Sequence, residues 1–228
     1  MDYMITTKHL TKKYKNITAL SDVSIHIPEG SIYGLIGNNG AGKTTLMKVI
    51  LGIQAPTSGT IKKNNDMTVG AVLDSHAFYP LWSAKRNLNY QLSLIKNTTY
   101  TAEELLNIVN LPNSRKPVLQ YSYGMKQRLS LALALANKPK LLFLDEPLNG
   151  LDPQGIRDIR LLIKRLNGEG ATIIISSHIL DELQKTVTHV GFLKDGHLVH
   201  ECRIEEIPDT SLENYYFKKY EGERECAN

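Results

Sequence analysis

The chain has 228 residues, 42% hydrophobic and 22% charged, with 27 basic and 23 acidic residues and a net charge of +4. This is the composition of an ordinary globular protein with an ample core, so disorder, collagen and a disulfide scaffold are excluded. The charge is small and spread along the chain, which argues against nucleic acid as a partner. The longest stretches free of Asp, Glu, Lys and Arg are Gly30–Gly42 and Val49–Ile61. Both are interrupted by glycine and polar residues, and a membrane helix needs about 20 apolar residues, so no span is expected. Asp2 and Lys8 have no apolar run between them, so no secretory signal is expected. Cys202 and Cys226 stand in no metal spacing and read as unrelated thiols of a reducing compartment.

Val23, Ile25 and Ile27 alternate with Ser24 and His26, as in a half-buried strand, and Pro28-Glu29-Gly30 then turns the chain. Ser31–Ile36 is a short apolar strand that runs into a glycine-rich loop. Lys43–Leu51 follows as a helix, closed by Gly52 and Pro56. Met67–Leu73 is another strand. The pattern is helical from Ser83 to Val109, with Thr101 and Glu104 spaced as a capping box, and helical again over Met125–Ala136. Leu141–Leu144 is wholly apolar, the kind of strand buried in a parallel sheet. Asp152 caps a helix with Pro153 at its first position. Thr172–Ile175 is a second buried strand, and Phe192–Glu201, with Asp195-Gly196 in its middle, reads as a hairpin. The expected fold is α/β: a mostly parallel sheet flanked by helices, with an antiparallel β portion. One domain, residues 1–228, carries an inserted helical subdomain at about residues 83–135.

The sharpest local signal is GNNGAGKT, Gly37 to Thr44, which matches G-x-x-x-x-G-K-[ST] between a strand and a helix. Glycines let the backbone fold tightly, so the N–H groups of Gly37, Asn38, Asn39, Gly40, Ala41 and Gly42 can converge on one anion. The start of the following helix adds its positive dipole end. In such a loop Lys43 reaches the β- and γ-phosphates, the Thr44 hydroxyl ligates Mg²⁺, and Thr45 adds phosphate contacts. The expected core is therefore that of a P-loop NTPase. A phosphate loop alone leaves kinases, GTPases and motor ATPases open. LLFLDEP, Leu141 to Pro147, puts Asp145 at the C-terminal end of a buried strand, where ligands gather in doubly wound sheets. Asp145 there can hold Mg²⁺, directly or through water. Two adjacent acids at a strand end are costly unless a cation or a reaction needs them. Glu146 reads as the base that orients or deprotonates the attacking water.

Here the chain resembles the ATP-binding cassette (ABC) family. The resemblance covers about Met4 to Glu201 and rests on motifs in the family's order: GNNGAGKT, YSYGM at Tyr121–Met125, LLFLDEP, NGLD at Asn149–Asp152, and SSHIL at Ser176–Leu180. It implies ATP and Mg²⁺ as cofactors. It implies that Ser122-Tyr123-Gly124 is the signature loop that grips the γ-phosphate of a partner subunit, with Gly124 opening a helix toward that anion. The family's usual form is LSGGQ; Tyr121, Tyr123 and Met125 replace its Leu, first Gly and Gln, while Ser122 and Gly124 remain. His178 corresponds to the histidine that contacts the γ-phosphate and links it to the catalytic site. Asp152 corresponds to the loop that crosses to the partner, and helix capping explains it equally well. Tyr14, among Lys12, Lys13 and Lys15, corresponds to the aromatic that stacks on adenine. Asp74 departs from the pattern, since the family carries glutamine there. Aspartate is shorter and charged and has no donor when ionised, yet it can still meet Mg²⁺. An acidic residue at this place, with SYGMKQRL and SSHIL, looks like the subgroup of lantibiotic- or bacitracin-type self-protection exporters, where glutamate commonly replaces the glutamine.

The resemblance implies a head-to-tail homodimer with two ATP molecules at a two-fold interface, complete sites in both halves, and hydrolysis as the reset. The load would be separate membrane-spanning permease subunits, with the chain cytoplasmic and peripheral on the inner face of the membrane. Docking is expected near Asp74 and Ser75–Leu88, where His76, Phe78, Tyr79, Leu81 and Trp82 make an unusually aromatic loop, although packing inside the insertion would also account for some of them. The rival is a soluble ABC ATPase acting on ribosomes or DNA. Such proteins usually carry two cassettes or a long coiled-coil insertion, and this chain has one cassette and no heptad run. A regulator without turnover is opposed by intact Lys43, Asp145, Glu146 and His178, and a small-molecule kinase leaves the signature and histidine segments unexplained. The tail from Ile204 to Asn228, with Tyr215, Tyr216, Phe217 and Tyr220, is expected to be a helix on the core.

Overall fold

The computed structural model describes residues 2–64, 67–73, 78–96, 98–208 and 211–221. Asp74, Ser75, His76 and Cys226 lie outside the described residues. In chain order the elements are β1 (Tyr3–Tyr14), β2 (Ile17–Val23), β3 (His26–Pro28), β4 (Ile32–Ile36), α1 (Lys43–Leu51), β5 (Ser58–Lys63) and β6 (Val69–Val72). Then come α2 (Ala84–Leu94), α3 (Ala102–Ile108), α4 (Tyr123–Ala134), β7 (Leu141–Leu144), α5 (Pro153–Gly168) and β8 (Thr172–Ser177). The chain ends with α6 (Leu180–Gln184), β9 (His189–Lys194), β10 (His197–Arg203) and α7 (Leu212–Glu221). It divides into two compact units, Met1–Asn65 with Thr172–Asn228, and Asp66–Ala171.

In the first unit β1 is the hub of an antiparallel sheet, pairing with β2, β3 and β5. The alternating run Val23–Ile27 is not one strand, because β2 and β3 lie on different stretches of β1. Thr7, fully buried, resolves the break: its Oγ1 donates to Val23 O (2.9 Å) and accepts from Ile25 N (3.1 Å). The burial still alternates across the break, since Val23, Ile25 and Ile27 all point into the core. A core sheet in the same unit has β4 parallel to both β8 and β9, with β10 antiparallel to β9. Every residue of β4 and β8 is buried, as expected for strands covered on both faces.

In the second unit β6 runs parallel to β7, whose four residues are all buried. The helical stretch expected over Ser83–Val109 divides into α2 and α3. The capping box is the reason: Glu104 N donates to Thr101 Oγ1 (3.3 Å) and Thr101 N to Glu104 Oε2 (2.8 Å). A capping box starts a helix, so no helix runs through it.

The core sheet contains a close fit that can be tested. Tyr33 of β4 is fully buried and donates to Glu201 Oε1 (2.7 Å). Burial, and then the carboxylate beside it, hold the phenol well above its ordinary pKa. Gly191 of β9 lies against the Tyr33 ring, and a Cβ there would collide with the hydroxyl. Gly191→Ala is expected to destabilise the protein by about 1–3 kcal/mol through overpacking. At roughly 2–4 °C per kcal/mol for a chain of this size, the melting temperature should fall by several degrees. Adding Tyr33→Phe should recover part of the loss. A melt of Gly191→Ala superimposed on wild type would show that the ring yields freely.

Candidate ATP site

The phosphate loop is shaped from outside as well as by its own glycines. Gly40 and Gly42 sit in the left-handed region, at φ 84° and 105°. A Cβ on Gly37 would run into the carbonyl oxygen of Leu193 in β9, and one on Gly42 would lie 2.6 Å from Ala19 O in β2. The turn of the β9–β10 hairpin braces the far side: Gly196 N donates to Ala41 O (3.0 Å), and Ser21 N donates to Gly196 O (2.8 Å). Around Gly40, by contrast, no atom of the described residues other than its chain neighbours stands within 4 Å of where a Cβ would be. The loop is thus rigid on its strand side and open on the other, as a cradle for an anion must be.

Lys43 is buried, and its Nζ arches over the loop to donate to Gly37 O (2.6 Å) and Asn38 O (3.3 Å). Asn38, Asn39 and Gly40 are exposed, while Thr44 and Thr45 are half-buried at the start of α1. That helix has no side-chain cap and no acid in its first turn, which leaves its positive end for an incoming anion. The donor set suits a triphosphate. The Thr44 hydroxyl here, and separately the Asp145 carboxylate of the second unit, are hard oxygen groups of the kind Mg²⁺ prefers.

His178 follows β8 directly and is exposed. A cavity of about 360 Å³ is lined by His178 together with Gly37 and Asn38, and by Tyr216 and Phe217 of α7. The structure therefore brings the histidine and the mouth of the phosphate loop to one space. Tyr14 is not part of that cavity. It ends β1, half-exposed, with its hydroxyl on Gln54 Oε1 and the Lys12 ammonium 5.0 Å from its ring centroid.

In the second unit, Asp145 and Glu146 follow β7 and are both half-buried. Asp145 N continues the ladder by donating to Val72 O (2.9 Å). Glu146 leaves it abruptly, at φ 48° in the left-handed region. A non-glycine residue there stores roughly 1–3 kcal/mol of strain, of the kind that collects where a side chain must be aimed. Ser122 caps α4, accepting from Met125 N (3.3 Å), so Tyr123 rather than Gly124 is the first helical residue. A hydroxyl that accepts in a cap still has its own proton to donate. Asp152 caps α5 through Gly155 N (2.9 Å). The two loops touch: Gly150, at φ 68°, lies against the Tyr123 ring, and Gly124 against Leu151.

The sequence matches the ABC transporter family over residues 20–149. The chain belongs to the ABC transporter family. It is 41% identical to the bacitracin transport ATP-binding protein BcrA of Enterococcus faecalis, across 91% of this chain and 71% of that one. It is also 41% identical to the lantibiotic transport ATP-binding protein SrtF of Streptococcus pyogenes, across 87% of this chain and 90% of the relative. Among solved structures, the ATP-binding cassette MJ0796, dimeric in a post-hydrolysis state with ADP and Pi, superimposes with a TM-score of 0.79 at 27% identity. That match covers 90% of this chain and all of the cassette. The cbiO1 protein of Clostridium perfringens, part of the cbiONQ transporter complex, gives 0.80 at 25% identity, with 98% of this chain covered and 96% of the other. This ABC protein is accordingly an ATP-binding subunit with the α/β fold of a P-loop NTPase, and it hydrolyses ATP in the service of transport. The likeness to the antimicrobial-peptide subgroup, suggested by Asp74 and SYGMKQRL, holds across most of the chain.

Sequence reasoning missed two contributors to this ABC site. The hairpin turn that braces Ala41 left a signal, Asp195-Gly196, but nothing in the sequence tells what that turn touches. The α7 wall of the histidine cavity left its aromatic cluster, Tyr215 to Phe217, and no more. The aromatic loop before α2 does assemble: Tyr79 and Trp82 stack at 4.2 Å, Tyr90 stands edge-on at 5.3 Å from Tyr79, and Arg86 covers Trp82 at 4.2 Å. Leu81 beside them is 77% exposed.

Proposed function

We propose that this chain is the ATP-hydrolysing subunit of a membrane exporter that clears antimicrobial peptides of the lantibiotic or bacitracin kind. The observation that carries this reading is 41% identity with two such transport ATP-binding proteins along about nine-tenths of the chain. Among the described residues no helix is long and apolar enough to cross a membrane. Separate permease subunits then supply the pathway, and the chain sits peripherally on the inner, cytoplasmic face. Docking falls at Asp74 and the Tyr79–Trp82 stack, where exposed Leu81 offers an apolar contact.

The working unit is a head-to-tail homodimer. In each half the loop Gly37–Gly42, with Lys43, Thr44 and Thr45, holds the phosphates of one ATP, and Tyr14 meets its adenine. Ser122 and Gly124 of the other copy close over the γ-phosphate, and Asp152 crosses between the halves. Thr44, Asp145 and Asp74 would hold Mg²⁺, which would neutralise phosphate charge. Glu146 takes a proton from water as the water oxygen forms its bond to the γ-phosphorus. The bond from that phosphorus to the β–γ bridging oxygen breaks, and ADP and phosphate leave. His178 holds the γ-phosphate. The whole chain is one nucleotide-binding domain with residues 83–135 as its helical insertion.

Tagged Glu146→Gln protein, drawn with ATP from detergent-solubilised membranes of its host, tests the reading. Recovery of polytopic membrane proteins is the expected result, and their identity narrows the cargo. Recovery with ribosomes or DNA, or of the chain alone, would overturn the transporter assignment.

A further inference from the structure

The C-terminal helix α7 has so far no task, and its contacts reach both parts of the γ-phosphate end of the site. Phe192 of β9 is the register partner of Ile36, the residue immediately before the phosphate loop. Its ring lies 5.6 Å from Tyr216 and 6.1 Å from Tyr215, so α7 rests on the strand position that fixes Gly37. Tyr216 is almost fully buried in that contact. Tyr215 is fastened by its hydroxyl to His200 Nε2 of β10 (2.9 Å). The first turn of α7 is fastened elsewhere: Leu212 is fully buried, and its N donates to Gln184 Oε1 at the end of α6 (2.8 Å).

That second attachment matters because α6 is the helix into which His178 leads. It has only five residues, and its N-cap, Ile179, sits at φ −90°, ψ 86° with no side-chain cap. The bond from Ile179 N to Ser177 Oγ (3.0 Å) steadies the turn after His178. So short a helix holds little of its own structure and takes its position from what packs on it. α7 packs on it, and Tyr216 and Phe217 of α7 also line the cavity shared with His178, Gly37 and Asn38. Phe217 is 46% exposed, and its ring lies edge-on to Tyr216 at 5.5 Å.

We infer that α7 is a positioning element for hydrolysis, in which Tyr216 and Phe217 set the place of His178 relative to the phosphate loop. This rests on the reading of His178 as the γ-phosphate contact. A change at α7 alters how the γ-phosphate is met while leaving the hold on the rest of the nucleotide intact. The sequence after Ile204 thereby becomes a control point for turnover.

The test uses the full chain and three variants, Phe217→Ala, Phe217→Leu and His178→Ala. Phe217→Ala should lower kcat about tenfold with KM for ATP and the melting temperature close to wild type, and Phe217→Leu should restore kcat to within about twofold; a tenfold change corresponds to about 1.4 kcal/mol. A residue that only stabilised the fold would lower the melting temperature and leave kcat per folded molecule alone, and that result overturns the inference. So does equal loss of kcat and ATP affinity. His178→Ala, measured alongside, separates the two levels. Impaired turnover there with normal turnover in Phe217→Ala overturns the α7 assignment alone, whereas normal turnover in His178→Ala removes the histidine's role and this inference with it.

Discussion

Glu146→Gln should bind ATP with wild-type affinity and turn it over about 10²–10⁴ times more slowly, the range a general base supplies. The substitution is a clean one at this position. Glutamine keeps the volume and the unbranched β-carbon, so the left-handed backbone at φ 48° carries no added strain. What it loses is the ability to accept a proton. With hydrolysis stalled, ATP should hold two copies together, and the mass of 25.6 kDa should double on light scattering when ATP is added and fall back on its removal. Turnover like wild type would remove the base assignment. A stalled enzyme that stays monomeric would keep Glu146 as base and count against the head-to-tail pair.

Lys43→Ala should lose ATP binding. Lys43 is almost wholly buried, with its ammonium held by Gly37 O and Asn38 O at 2.6 and 3.3 Å and so aimed across the mouth of the loop. A hydrogen bond to a charged group contributes about 1.5–3 kcal/mol, and contacts to both the β- and γ-phosphates would sum to several. The expected loss of affinity is about 10²–10⁴-fold, at 1.4 kcal/mol per factor of ten. The fold should survive, because Leu46, Met47, Val49 and Ile50 still bury the inner face of α1. Titration with a fluorescent nucleotide reads the affinity directly. A change under threefold would show that the loop's backbone amides carry the binding without the lysine.

Much of this site is legible in the sequence because its chemistry depends on contiguous residues. Gly37 to Thr44 declares itself by spacing alone, and α1 begins and ends where the glycines say. The apolar strands were readable for a similar reason: Leu141–Leu144 and Ser31–Ile36 are buried on both faces, so their composition carries the signal. β1 was not readable. It serves three partners along twelve residues, with irregular register against each, and its threonines and lysines show no clean alternation. The break after Val23 was hidden because Thr7, sixteen residues earlier, satisfies it. The left-handed turn at Glu146 also leaves no trace, since the residue there is not one of the glycines or asparagines that mark such a turn. Relations of that sort are tertiary, and the sequence around them offers no local pattern to read.

The contact between Tyr123 and Gly150 carries a consequence for anyone who would redesign this subunit. The tyrosine fills a space that the glycine leaves vacant, so the start of α4 and the loop before α5 are cut to one another like the halves of a mould. Restoring glycine at 123 in pursuit of the family's common wording would leave a void against residue 150. Adding a side chain at 150 would push on the ring. The two segments can be transplanted between cassettes only as a pair, and a chimera that takes one without the other should lose the mutual alignment of these two loops while every individual motif still reads as intact.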